Sequence, residues 1–382
     1  MTASPVHPIV IWFGRVGDMI LLSALLDILH ARYGGRCRLI GAGSWPGQIY
    51  QAHSAVGRVS CLHRYTAWLF DPAWWRTLRA LRAARADPVY VCETDPRKLA
   101  RIRRLLAFSR TDPRRCVFVA PEAPPGCSHW VDRLVSLGRL TPPAFDATAY
   151  PWPDPAPPGA PRLEVSREAL ADCAAWLEDK GWHGRSLVLV QPGNRRTMRG
   201  KRLRLSAADD KAWPLERWAQ LLHRLHAQLP QAQILVCGAP RESLLLRWIV
   251  EAAQIPAVAA AQLPLPRLLA LCSRAHSMIS VDTGPAHAAA ALGLPLVVMF
   301  GAHSQEQWLP RSACGSQVLG VGGPPRSHRL DEIPVEAVFA AWRALGIAPQ
   351  TATPGAGATA PEPPRSMCPQ PVTAALTTRP PG

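Results

Sequence analysis

Asp18, Glu242, Asp282 and His287 are polar side chains whose settings suit ligand binding, because each follows closely on a short apolar run. The run Ser277–Val281 leads into Asp282-Thr283-Gly284-Pro285-Ala286-His287, then into a small apolar stretch ending at Leu292-Gly293. Pro295–Phe300 reads as the next strand. A strand–turn–helix unit of this kind puts its turn at the carboxyl edge of a parallel sheet, where ligands bind, and helix N-terminal amides there attract anions. A turn-forming Asp and a packing His are the plainer reading. It is weakened here because Asp, Thr, Gly and His converge on one helix entrance.

Three other turns have the same character. Gly14-Arg15-Val16-Gly17-Asp18 follows the run Ile9–Phe13. Its glycines permit a tight turn and close approach of the backbone to a ligand, and Asp18 at the helix start reads most simply as an N-cap, worth about 1 kcal/mol. Gln191-Pro192-Gly193-Asn194 follows another run, and Lys211 stands just before the helix of Pro214–Leu229. A lysine beside a helix N-terminus is a phosphate ligand or simply a surface lysine. Gly238-Ala239-Pro240-Arg241-Glu242 ends a further strand. A carboxylate so placed accepts ribose hydroxyls or merely complements a helix dipole. The sequence contains neither a Gly-x-Gly-x-x-Gly fingerprint nor a Walker phosphate loop, which argues against a dinucleotide-dependent oxidoreductase.

The elements that must position these residues alternate in type. Strands are expected at 9–13, 38–41, 89–92, 116–119, 186–190, 233–237, 277–281 and 295–300. Helices are expected from Asp18, at 74–86, after 92, at 166–180, 214–229 and 265–272, after the Asp282 turn, and at 334–345. Alternation of this sort predicts parallel sheets with helices on both faces. Residues 141–161 are Pro-rich and read as an inter-domain linker. The expected division is an N-terminal domain over 1–150, a linker over 151–165, a C-terminal domain over 166–330, a last helix over 331–348, and a disordered Pro/Ala/Thr-rich tail over 349–382.

Charge and cysteines narrow the class. The chain has 382 residues and a formal net charge of +16. Residues 64–115 hold 13 Lys/Arg against 5 Asp/Glu, and residues 195–204 hold 6 against none. Patches of this kind imply an anionic partner, or solvated helix faces. Ten scattered cysteines form no C-x-x-C pair and no metal-ligand spacing, which suits reduced, buried thiols in a cytosolic protein. No secretory signal peptide is evident, and no apolar run is long enough to span a bilayer.

Taken in order, the motifs resemble glycosyltransferase family 9, the lipopolysaccharide heptosyltransferases. The resemblance covers roughly residues 9–310. It rests on Gly17-Asp18, Pro192-Gly193, Lys211-x-Trp213-Pro214 with Arg217-Trp218, Gly238-Ala239-Pro240-x-Glu242, Asp282-Thr283-Gly284-Pro285-x-His287, Leu292-Gly293-x-Pro295 and Phe300-Gly301. It implies an α/β GT-B fold, two Rossmann-like domains facing across a cleft, with the last helix returning to the first domain. It also implies an inverting transferase that uses no cofactor or metal. The donor would be ADP-heptose, and the acceptor a phosphorylated lipopolysaccharide core at the cytoplasmic face of the inner membrane. By this resemblance Asp18 is the general base, supported by Gly14 and Gly17. The donor is held by Gly193, Asn194, Lys211, Glu242 at the ribose, Leu263 under the adenine, and Asp282, Thr283, Gly284 and His287 at the sugar and diphosphate. The Arg-rich helices of 64–115 would meet the acceptor and the anionic membrane surface. The basic insertion at 195–204 and the tail lie outside the family pattern. The alternatives are a GT-B-like sugar-nucleotide epimerase or hydrolase, or a non-enzymatic polyanion-binding module. Nucleic acid is not an expected partner.

Overall fold

Strands covered on both faces read as unbroken apolar runs, and the strands that carry the site motifs are of this kind. The computed structural model describes residues 6–63, 70–194, 197–199, 202–203 and 212–347. In the N-terminal domain the strands are β1 (Ile9–Ile11), β2 (Cys37–Ala42), β3 (Val56–Leu62), β4 (Val89–Val91) and β5 (Cys116–Phe118). The helices are α1 (Val16–Leu21), α2 (Ser23–Tyr33), α3 (Trp45–Tyr50), α4 (Pro72–Ala83), α5 (Pro96–Ser109) and α6 (Trp130–Arg139). The strands pair in parallel in the order β3-β2-β1-β4-β5. Alternate residues of β1 face opposite layers: Val10 packs with α1, α2 and α6, while Ile9 and Ile11 pack with α4 and α5.

The C-terminal domain begins with α7 (Arg167–Asp179) and β6 (Leu187–Gln191). A short antiparallel pair, β7 (Met198–Arg199) and β8 (Arg202–Leu203), follows. Next come α8 (Leu215–Gln228), β9 (Gln233–Cys237), α9 (Ser243–Ala253), β10 (Ala257–Ala260) and α10 (Leu265–Cys272). The last elements are β11 (Ser277–Val281), α11 (Gly284–Ala291), β12 (Leu296–Phe300), α12 (Gln305–Trp308), β13 (Val318–Gly322) and α13 (Val335–Ala344). The parallel sheet runs β10-β9-β6-β11-β12-β13. Both sheets therefore wind outward from a central first strand, and each reverses direction at one switch point, between β1 and β4 and between β6 and β11.

Several expectations are corrected. Asp18 is not the N-cap of its helix: α1 begins at Val16, and Asp18 is its third residue, accepting from the N–H of the N-cap Arg15. The last helix does not return to the first domain. Val335, Val338 and Trp342 of α13 are buried with Val297 and Met299 of β12 and with Trp213 and Trp218 beside α8. Trp213 donates its indole N–H to Ile333 O at 2.9 Å, and Arg217 donates to the same carbonyl at 2.9 Å and to Asp331 O at 2.6 Å. These contacts hold the C-terminal segment on the second domain. Eight cysteines, at 37, 61, 92, 116, 127, 173, 237 and 272, are free thiols, of which Cys61, Cys116 and Cys127 are only partly buried. Lys211, the tail at 349–382 and half of the basic insertion at 195–204 lie outside the described residues.

The domains meet through side chains as well as through the linker. Ala288 and Ala291 of α11 and Leu269 of α10 share one apolar cluster with Leu22, Leu25 and Trp130 of the first domain. Trp130 stacks between Trp12 and Trp308, with ring centroids 5.9 Å and 6.0 Å away. Arg311 makes a bidentate pair with Asp132, and the His129 ring donates from Nε2 to Leu309 O at 2.9 Å. In the linker, Arg162 pairs with Asp27 at 3.0 Å and Glu164 at 2.7 Å, while Leu163 N donates to Ala291 O. Among the described residues no helix is long and apolar enough to cross a membrane.

Candidate active site

The second sheet lays four turns side by side because β10, β9, β6 and β11 are adjacent. Leu263 follows β10, Glu242 follows β9, Gly193 and Asn194 follow β6, and Asp282 follows β11. Glu242 is buried, and its Oε2 accepts from Ala239 N at 2.8 Å. Its Oε1 is also buried and has no hydrogen-bond partner. Burial raises this carboxyl above its ordinary range, and the Ala239 amide only partly opposes the shift. A buried acceptor atom left unsatisfied costs about 1–3 kcal/mol, so a hydroxyl donated to it would bind strongly. A Cβ added at Gly193 would lie 2.9 Å from this same Oε1. The glycine therefore keeps the approach open. Gln191 Nε2 donates to Gly193 O at 2.9 Å and Thr197 Oγ1 accepts from Asn194 N at 2.8 Å, fixing the turn. Leu263 is half-buried against the apolar cluster that includes Cys237 and Ala260.

The Asp282 turn sits at the second switch point. Thr283 is the N-cap residue of α11, and its hydroxyl lies 3.1 Å from that of Ser280. His287, one turn into α11, is buried, with Nε2 3.8 Å from Asp282 Oδ1. The Asp therefore lies beside the imidazole at the helix entrance.

Opposite it stands the first switch point. Arg15 N donates to Asp18 Oδ2 at 2.6 Å, which fixes the carboxylate against its own turn. A Cβ added at Gly14 would meet Asp18 Cβ at 2.5 Å, so this turn has no room for a larger residue. The two turns touch. A Cβ on Gly284 would lie 3.1 Å from Val16 Cγ1 and 3.2 Å from Gly17 N, and one on Gly17 would lie 3.4 Å from His287 Cδ2. Paired glycines let the helix starts of α1 and α11 approach, which carries Asp18 to the Thr283–His287 turn.

Glu93 was not among the expected residues. It follows β4, directly across the first switch point from Asp18's turn. It is buried, its Oε1 accepts from Thr94 N and Asp95 N, and Lys98 Nζ lies 3.6 Å from Oε2. Burial raises its carboxyl, and its two backbone donors and Lys98 only partly offset this. The signal was the strand Val89–Val91 followed closely by an acidic residue. Conversely, Trp213, Arg217 and Trp218 of the Lys211 motif point into the packing of the C-terminal segment, as described above. Among the described residues no group of His, Cys, Asp and Glu is arranged to hold a metal ion.

Two parallel-sheet domains with their carboxyl edges opposed, and a helix returning onto the second, make a GT-B fold. The structure of E. coli ADP-heptose lipopolysaccharide heptosyltransferase II is similar over 89% of this chain and 98% of that one, with a TM-score of 0.64 and 19% identity. That of E. coli heptosyltransferase WaaC with ADP is similar over 89% and 100%, with a TM-score of 0.61 and 20% identity. The profile of glycosyltransferase family 9 (heptosyltransferase) matches residues 155–328 of the chain. Lipopolysaccharide heptosyltransferase 3 of Escherichia coli is 30% identical over 132 residues, 34% of this chain and 35% of that protein. The matched stretch thus spans about a third of that relative's length.

Proposed function

We propose that the chain is an inverting glycosyltransferase that moves a heptose, or a related sugar, from ADP-heptose to the phosphorylated inner core of lipopolysaccharide. The observation that carries this reading is the contact between the Gly17 and Gly284 turns, which puts Asp18 of one domain beside the Asp282–His287 turn of the other. The similar structures named above include heptosyltransferases solved as ADP-heptose enzymes or with ADP, and the family profile falls on the domain that holds the four adjacent turns.

In this reading the donor lies along those turns. Glu242 Oε1 accepts a ribose hydroxyl, Leu263 underlies the base, and Gly193 and Asn194 border the diphosphate. Lys211, outside the described residues, supplies positive charge. Thr283, Gly284 and His287 meet the diphosphate and sugar at the start of α11, while Asp282 accepts sugar hydroxyls. As the bond from the anomeric carbon to the diphosphate oxygen breaks, that oxygen takes the electron pair, and helix amides and cations stabilise it. The anomeric carbon acquires oxocarbenium character. An acceptor hydroxyl attacks from the opposite face and gives its proton to Asp18. The basic first domain favours a phosphorylated acceptor at the cytoplasmic face of the inner membrane.

Thermal shifts against ADP, UDP, GDP and their sugars test the donor. Stabilisation by ADP alone is expected, and a shift with UDP alone would sink the heptose reading. Product analysis with the donor alone should show little turnover. Rapid conversion without acceptor would instead favour an epimerase or hydrolase.

A further inference from the structure

Two buried histidines stand where the domains are joined, and neither belongs to the site described above. His53 lies in the loop between α3 and β3, and His129 is the N-cap residue of α6. They are 0% and 2% exposed. Their hydrogen bonds follow one plan. Nδ1 of His53 accepts from Ala55 N at 3.3 Å, and Nδ1 of His129 accepts from Val131 N at 3.1 Å. Each ring is therefore bare at Nδ1 and carries its hydrogen on Nε2. From there His53 donates to Arg162 O at 3.2 Å, as His129 does to Leu309 O. Both acceptors lie across the junction. Leu309 belongs to the second domain, and the linker on either side of Arg162 is bonded to that domain: Ala313 N donates to Pro161 O, and Leu163 N to Ala291 O.

The surroundings leave little place for a charged ring. Asp27 Oδ1 on α2 lies 4.0 Å from His53 Nε2, but Arg162 already pairs with it. Glu164 in the linker is occupied by Arg162 and by the Ser54 hydroxyl. The Tyr50 ring of α3 stands edge-on to His53, its hydroxyl donating to Met19 O. Arg36 reaches the carbonyl of His53 at 3.5 Å. Beside His129, Asp132 is taken by Arg311, and Arg133 donates to Ala120 O and Pro121 O. A second ring hydrogen, on Nδ1, would also point at the amide N–H that this atom now accepts. Burial lowers both imidazole pKa values; Arg162 and Arg311 add to the effect, and Asp27 and Asp132 only partly oppose it.

We propose that His53 and His129 form a paired, proton-sensitive clasp on the domain junction, which mild acid releases. Above the ordinary imidazole value of 6.5 both rings are neutral whether the domains are joined or parted, and the clasp holds. Below it, rings exposed by parting take up protons that the joined form refuses, so the parted form gains. Two protons taken up together shift the ratio of parted to joined molecules by up to about 100-fold per pH unit. Release would also draw the Gly17 turn from the Gly284 turn, and with it Asp18 from the start of α11. That consequence bears on the transferase reading; the clasp itself does not depend on it.

Small-angle scattering of the full chain without ligand, from about pH 7.5 down to about pH 5.5, tests this. The radius of gyration is expected to rise reversibly as the pH falls, while far-ultraviolet circular dichroism stays constant. His53→Gln and His129→Gln keep a side-chain N–H and cannot be charged. Each alone should cut the proton dependence to about tenfold per pH unit, and together they should abolish it. His183→Gln, at an exposed position, should leave it unchanged. Should a junction variant fail to fold, hydrogen–deuterium exchange at the histidine C2 positions, read peptide by peptide on the wild-type protein, decides the matter without substitution. Both rings should take up protons in step with the expansion. The proposal is overturned if the radius stays constant, if the double variant expands as the wild type does, or if either ring is protonated while the molecule stays compact. Expansion with loss of helix would be unfolding, and also overturns it. A normal ADP shift beside a pH-independent radius would leave the donor assignment standing and remove the clasp alone.

Discussion

At the carboxyl edge of the C-terminal sheet, four neighbouring turns present small residues, a buried carboxylate and a helix entrance. At the matching edge of the N-terminal sheet, Asp18 and Glu93 stand amid arginines and exposed aromatics. The two sheets wind alike, β3-β2-β1-β4-β5 against β10-β9-β6-β11-β12-β13, so topology does not account for the difference. The family profile falls on residues 155–328, the linker and second domain. A nucleotide sugar in a closed cleft makes many short contacts, which fix residue types one by one. The proposed acceptor, large and amphipathic, would be met by a charged surface, which many arrangements of arginine can supply.

Removing the proposed proton acceptor should separate the two edges most sharply. Asp18→Asn is expected to lower kcat by about 10²–10⁴ while the donor affinity, read by calorimetry with ADP, stays near wild type. Full activity would transfer the base to another group, with Glu93 the first to examine.

Forcing the edges apart comes next. Gly284→Val places a branched side chain where a Cβ alone would come within 3.2 Å of Gly17 N. An ångström of misplacement costs about 10²-fold in rate, so kcat should fall by that order. Donor affinity should also weaken because the substitution lies at the start of α11. Paired changes in both constants support a shared junction, whereas loss of affinity alone would confine Gly284 to the donor side.

Glu242→Gln should weaken ADP binding by about tenfold, the loss of roughly one charged hydrogen bond. It should also alter stability in a direction set by pH. The folded state raises the Glu242 carboxyl above its ordinary range. The charged form therefore costs stability once the pH exceeds the unfolded value, and costs nothing below it. The Tm of the Gln variant relative to wild type should accordingly climb as pH rises from about 4 to 7. A flat difference would mean the carboxyl is not penalised by burial.

The smallest effect on chemistry is expected from Arg217→Ala, which removes the hydrogen bonds to Asp331 O and Ile333 O. Stability should fall by about 2 kcal/mol, with ADP binding unchanged. A large change in donor affinity would return Arg217 to the site.

The sequence made the second domain legible because its strands are unbroken apolar runs and its turns end in recognisable residues. Gln233–Cys237 and Leu265–Cys272 were bounded from pattern alone. What escaped had physical reasons. Val56–Leu62 is an edge strand with an exposed Gly57 and Arg58, so it lacks the apolar run of an inner strand. Val318–Gly322 carries two glycines. The helix at Trp130–Arg139 carries Trp130, Val131, Leu134 and Leu137 at helical spacing, but a proline-rich approach directly before it reads as loop. Glu93 follows the strand Val89–Val91 closely, but its place beside the Asp18 turn depends on β4 pairing with β1, which no local pattern states. Trp213, Arg217 and Trp218 follow Lys211 in the family pattern, yet their part is packing: the buried rings lock the C-terminal segment to α8.

The stack of Trp12, Trp130 and Trp308 crosses the domain boundary, with Trp130 and Trp308 inclined by only 15°. Indoles held at this spacing couple their electronic transitions, and the coupling fades steeply with separation. If the domains part to admit substrates, the circular dichroism of these rings should change with the degree of opening. The molecule thus carries its own unlabelled optical reporter of closure, and Trp308→Phe would silence it with little disturbance to the volume packed around Trp130.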